Sequence, residues 1–100
     1  PLGDGLEIRN VNSERGTNEN GIGYLLLRGN VTNVVDGKKP VPLIKAILIG
    51  ASGEVIQSII QEPKAPEISS GEVMTFAIKI DEPSPLARKL EVTFEARPKT

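Results

Sequence analysis

The side chains that carry most nucleophilic, acid–base and metal chemistry are missing from this chain or scattered along it. Histidine and cysteine are both absent, which removes Ser/His/Asp triads, Cys/His nucleophiles, zinc ligand sets and disulfides together. Carboxylates remain, and Asp81-Glu82 places two side by side. Paired carboxylates do acid–base work only in a shared cleft that pushes their pKa values apart, whereas these stand at a strand end, where they serve solubility. A serine activated by lysine needs no histidine, but no serine here lies in a strained elbow or at a suitable spacing from a lysine. Asn18-Glu19-Asn20-Gly21 offers the oxygens and the glycine of a calcium loop. It lacks the later bidentate glutamate, which leaves a solvated turn. Asn30-Val31-Thr32 matches the N-glycosylation acceptor pattern, but in the middle of a strand-like run rather than a loop. The expectation is therefore no catalytic residue, no metal ligand and no cofactor.

Composition narrows the partners. Twelve basic residues against 13 acidic leave a net charge of −1, so no long-range field draws in nucleic acid or an anionic membrane. Only Tyr24, Phe76 and Phe94 are aromatic, too few for a base-stacking platform, and the core must be aliphatic. One hundred residues make one domain, which buries roughly 60–70% of its unfolded surface. No segment approaches the roughly 18 apolar residues of a membrane span, and no signal-peptide pattern opens the chain; it is expected to be soluble. Residues 1–5, with Pro1-Leu2-Gly3, read as a linker or tag remnant, residues 6–96 as the domain and 97–100 as a tail.

Gly, Pro, Asn and Ser clusters cut the chain into pieces of strand length, and none sustains a helical period for three turns. Leu6 and Ile8 share a face of the first piece, and the polar stretch from Asn12 to Gly21 reads as a loop. The runs Ile22–Asn33 and Leu43–Ile49, separated by Asp36-Gly37-Lys38-Lys39-Pro40, look like a hairpin-like pair of strands. Leu25, Leu27 and Val31, with Gly29 between them, form the core face of the former. The latter is apolar on both faces, which predicts a central strand or a covered outer face. Ala51-Ser52-Gly53-Glu54 predicts a hairpin turn. Residues 55–61 fit a strand or a short amphipathic helix, and their β-branched content together with Pro63 favours the strand. Pro63-Lys64-Ala65-Pro66 reads as a crossover between sheets and Ser69-Ser70-Gly71-Glu72 as a turn. Alternation then gives Met74, Phe76, Ile78 and Ile80, and finally Leu90, Val92, Phe94 and Ala96, as inward faces. The pattern predicts an all-β, two-sheet immunoglobulin-like or fibronectin-like sandwich of six to seven antiparallel strands.

Two regions stand out as protein-contact surfaces. The segment from Val34 to Pro42 is long, stiffened by Pro40 and Pro42, and carries Val34, Val35, Lys38, Lys39 and Val41; loops at the end of a sandwich often contact ligands. Its plain reading is an ordinary connection. Tyr24, Leu26, Leu43, Ile47 and Ile49 would form an apolar patch if they lay together on an outer face, or simply more core under a different register.

Leu6-x-Ile8, Leu25-x-Leu27-x-Gly29-x-Val31-x-Asn33, Pro40-x-Pro42, Leu48 with Gly53, Gly71-Glu72 with Phe76, and Val92-x-Phe94 together resemble a bacterial domain of unknown function. That domain is found C-terminal to a zinc-ribbon and a single transmembrane helix. Two departures are Ile49-Gly50, where the family often has a charged pair, and Ser70, where proline is common. The resemblance spans Leu6 to Ala96. It implies an immunoglobulin-like fold and a periplasmic or extracytoplasmic position at the inner membrane, with the zinc-ribbon and membrane anchor upstream. It brings no catalytic residue. The expected role is a non-catalytic interaction domain that binds a protein partner or itself and neither nucleic acid nor, directly, membrane; the alternative is a structural spacer.

Overall fold

Period-two alternation, broken by glycine and proline, is realised as strands throughout. A computed structural model describes residues 1–99, which contain no helix and eight strands: β1 (Leu6–Thr17), β2 (Gly23–Asn33), β3 (Lys39–Pro40), β4 (Leu43–Gly50), β5 (Val55–Gln61), β6 (Glu67–Ile68), β7 (Val73–Asp81) and β8 (Ala87–Glu95). All pairing is antiparallel. One three-stranded sheet has the order β1-β2-β7, a second has β5-β4-β8, and β3 pairs with β6 in a short ribbon.

The expected hairpin between residues 22–33 and 43–49 does not form. β2 lies between β1 and β7, while β4 lies between β5 and β8. The intervening residues therefore carry the chain from one sheet to the other, with β3 on the way. The doubly apolar β4 is central in its sheet, as its pattern predicts. Residues 55–61 are strand, and 51–54 form the β4–β5 turn, closed by Gly50 N–H to the Glu54 carbonyl at 2.8 Å. Gly53 adopts φ +84°, which residues with a Cβ resist. The crossover at residues 63–66 and the turn at 69–72 also stand where expected.

The polar segment after Asn12 is a correction. β1 continues to Thr17 and pairs with β2 as far as Gly23, so only residues 18–22 form a turn. Its side chains carry no apolar signal because this half of β1 is held by the backbone ladder, and nearly all of it is exposed. A register shift between Arg9 and Asn12, with Asn10 at φ +57°, bends the strand there.

Inward residues of both three-stranded sheets meet in one core. Leu25, Leu27 and Val31 of β2, Phe76, Ile78 and Ile80 of β7, and Ile44, Ala46 and Leu48 of β4 are buried in it, joined by Val41 and Ile68 from the ribbon end. Leu90, Val92 and Phe94 of β8 pack against this core only half-buried. Gly29 faces the core opposite Phe76 in register, and a Cβ there would stand 2.6 Å from the Phe76 Cζ. The absent side chain is the space the ring occupies. Residues 1–5 form turns against the domain: Gly3 lies on the Phe94 ring and Gly5 on Val35.

Candidate interaction surface

Charged side chains are spent mainly on neighbours at the surface. Arg28 meets Glu14 at 2.9 Å, Lys89 meets Glu91 at 3.0 Å and Arg97 meets Glu62 at 2.9 Å, all well exposed. Exposed pairs of this kind contribute about 0–1 kcal/mol each. The Asn18 side-chain carbonyl accepts N–H groups from Asn20 and Ile22, so the calcium-like sequence is an Asx-type turn closing the β1–β2 hairpin. Among the described residues, no three His, Cys, Asp or Glu side chains gather in a metal-binding group. Asn30 lies mid-strand in β2, between Arg9 and Thr75 in register.

The segment from 34 to 42 is organised by Asn33, which is fully buried. Its Nδ2 donates to the Gly37 carbonyl and to the Ile68 carbonyl, both at 2.9 Å, and its Oδ1 accepts the Val35 N–H at 3.0 Å. Its main chain is equally engaged, donating to Glu72 and accepting from Gly71. One residue thus ties the loop to β6 through its side chain and to the turn before β7 through its main chain. The five contact candidates in the segment separate accordingly. Val34 and Lys38 are exposed; Val35 lies against Gly5, and Lys39 pairs with Ile68 in the ribbon. Val41 is a core residue at 2% exposure, and its assignment as a contact residue is corrected. No alternation marks it as inward in the sequence, because Pro40 and Pro42 flank it directly.

The second candidate surface does not exist as a single patch. Tyr24 and Leu26 lie on the outer face of the β1-β2-β7 sheet, Leu43, Ile47 and Ile49 on the outer face of the β5-β4-β8 sheet, and the core lies between. On the first face the ring of Tyr24 covers Gly16 and carries the Lys79 ammonium 4.9 Å from its centroid. Leu26 is flanked in register by Glu14 and Lys79. Charged neighbours close that face. Sequence periodicity gives the parity of a residue, not the sheet to which its strand belongs, and the two outer faces were merged for that reason.

The second face is different. Register puts Val55 beside Ile49, Ser58 beside Ile47 and Ile60 beside Lys45. Val55 is 62% exposed and Ile60 50%, and with half-buried Ile47 and Ile49 they put four apolar side chains on this face, with Ser58 and Lys45 set among them. Leu43, at the far end of the row, is buried beside Glu95. Across β4 the face turns polar, with Lys89, Glu91 and Thr93 of β8 opposite Ile49, Ile47 and Lys45. Val55 and Ile60 were missed because the 55–61 run fits two periods; the signal that finds them is the pairing with β4. A separate cleft of about 490 Å³ opens between residues 1–4, the 39–42 segment and Ala96-Arg97. No family model, curated protein or solved structure matches this chain.

Proposed function

We propose that the chain is a two-sheet, immunoglobulin-like sandwich serving as a non-catalytic protein-interaction domain, carried on the extracytoplasmic side of a membrane-anchored bacterial protein. The sandwich reading is supported by the division of strands: first, second and seventh in one sheet, fourth, fifth and eighth in the other, around a shared core. The location rests on the family resemblance of residues 6–96.

The observation that carries the interaction reading is the apolar area of Ile47, Ile49, Val55 and Ile60 on the outer face of the β5-β4-β8 sheet. Soluble domains seldom leave such a run uncovered beside a polar half-face. Covering Val55 and Ile60 would each gain about 1–2 kcal/mol, enough to anchor a partner bordered by Lys45, Lys89 and Glu91.

A photo-crosslinker at Ser58, in the middle of the patch, tests this in envelope extracts, with Thr75 on the opposite face as control. The expected result is a specific adduct from Ser58 that disappears in Ile60→Lys. Equal, unspecific labelling from both positions, or none, would leave the domain as a spacer.

A further inference from the structure

The edges of the two sheets are not equally protected. β1 is bent by its shift at Asn10, and β5 is interrupted where Leu48 and Ile49 pair with Gln57 and Val55, leaving Ile56 over. β7 is approached by the 63–66 crossover, whose Lys64 donates to the Thr75 hydroxyl at 2.7 Å. β8 has neither protection over most of its length. After an extra residue at Arg88 it runs without a register shift from Lys89 to Glu95, paired to β4 on one side only. Every second residue there turns its N–H and C=O away from β4 toward no strand.

Beside that edge the core is unfinished. Leu90, Val92 and Phe94 point inward yet stay half-buried. Ser13 and Arg15, opposite inward-facing Leu27 and Leu25 in register, are exposed. Their half of β1 overhangs a cleft of about 270 Å³ reaching Leu25, Leu48 and Leu90. One more strand beside β8 would complete both the ladder and this side of the core.

We infer that the strand is β8 of a second copy of this chain, paired antiparallel about a two-fold axis at Val92. Directly opposed residues share a face, so this register sets Lys89 against the partner copy's glutamate at position 95, and Glu91 against Thr93. On the inner face it sets Leu90 against Phe94 and Val92 against its own copy. Oppositely charged residues meet twice by symmetry, and each inward side chain meets an apolar one. Centring the axis on Glu91 opposes two glutamates, and centring it on Thr93 opposes Glu91 to Glu95 twice. Centring on Leu90 leaves Phe94 and Glu95 unpaired and draws in the irregular Arg88. The Val92 register alone uses the whole regular segment without a like-charge contact. The isologous contact yields a continuous six-stranded sheet. Joined only along one strand, the dimer falls below the roughly 1,200 Å² of a standard interface and is transient.

Sedimentation and amide hydrogen exchange on the intact chain, from about 10 μM to 1 mM, test this inference. The expected result is a reversible dimer with slowed exchange at alternate β8 amides. Lys89→Glu alone and Glu95→Lys alone each weaken it about tenfold or more, while an equimolar mixture of the two variants restores association as a heterodimer. A monomer at the highest concentration overturns the inference, as does association that the charge variants leave unchanged. Association abolished by Ile60→Lys but not by Lys89→Glu overturns it too, and assigns self-contact to the outer face proposed above. Lys89 and Ile60 are exposed, whereas Glu95 is half-buried and paired with Lys45, so circular dichroism and urea unfolding of each variant confirm folding before the comparison.

Discussion

Replacing Asn33 by alanine removes three side-chain hydrogen bonds at once, to Gly37, Ile68 and Val35. A net value of about 1 kcal/mol for each bond gives roughly 3 kcal/mol. The Ile68 carbonyl is also stranded in a buried setting, since Ile68 is 1% exposed, which adds about 1–2 kcal/mol. The expected loss is about 3–5 kcal/mol, a large share of the roughly 5–15 kcal/mol that stabilises a domain of this size. In urea, with a slope near 1.5 kcal/mol/M, the midpoint falls by about 2–3 M, followed by far-UV circular dichroism because the chain has no tryptophan. Asn33→Asp sharpens the reasoning through its pH dependence. Aspartate keeps the acceptor for Val35 but turns its second oxygen toward two carbonyl oxygens, so burial and these dipoles raise its folded pKa above the ordinary 3.9 or so. A carboxyl group with a raised folded pKa binds more protons folded than unfolded, so the variant loses stability as pH rises from about 4 through the folded value. It is closest to wild type in acid and weakest at neutral pH. A loss below about 1 kcal/mol for Asn33→Ala, or an Asn33→Asp stability deficit that does not grow between pH 4 and 7, would refute the account of this residue as the clamp of the loop.

Gly29→Ala drives a methyl group into the Phe76 ring and is expected to cost about 1–3 kcal/mol, with part recovered when Phe76→Leu is added; thermal unfolding of the two singles and the double measures the coupling. Val41→Ala, in the core, should cost about 1–3 kcal/mol, whereas Val34→Ala, at an exposed position earlier in the same segment, should stay within about 0.5 kcal/mol, and urea midpoints of the pair check that ordering.

What could be read from the sequence was parity, and parity served well wherever a strand has one buried face. Leu25, Leu27 and Val31 in β2 and Phe76, Ile78 and Ile80 in β7 are inward as their alternation requires. The chain's path between sheets was not readable in the same way, since the bond that decides it is made to a strand far along the sequence. β4 pairs with β8 through Ile44 and Phe94, and nothing local to residues 43–49 distinguishes that from a hairpin with β2. The merging of Tyr24 and Leu26 with Ile47 and Ile49 followed from this. The second half of β1 escaped notice because exposed polar strands have no burial signal. β3 and β6 are two residues each, shorter than any period. Asn33 reads in sequence as a residue that ends a strand; its role as a clamp depends on the Ile68 carbonyl, 35 positions later.

The central place of β4 has a consequence for how the chain is made. Its neighbour β5 follows at once through a four-residue turn, but β8 begins only at Ala87, and at about 5–20 residues per second of synthesis one edge of β4 waits roughly 2–8 s for its partner. During that interval Leu43, Ile44, Ala46, Ile47, Leu48 and Ile49 form a β-prone segment with an open side, the kind that pairs with neighbouring chains. Lys45 is the single charge in it. In the finished fold its salt bridge with Glu95 spans 3.4 Å and is partly exposed, a modest contribution to stability. Its larger value lies earlier, as a gatekeeper that interrupts the apolar run while the strand is still unaccompanied.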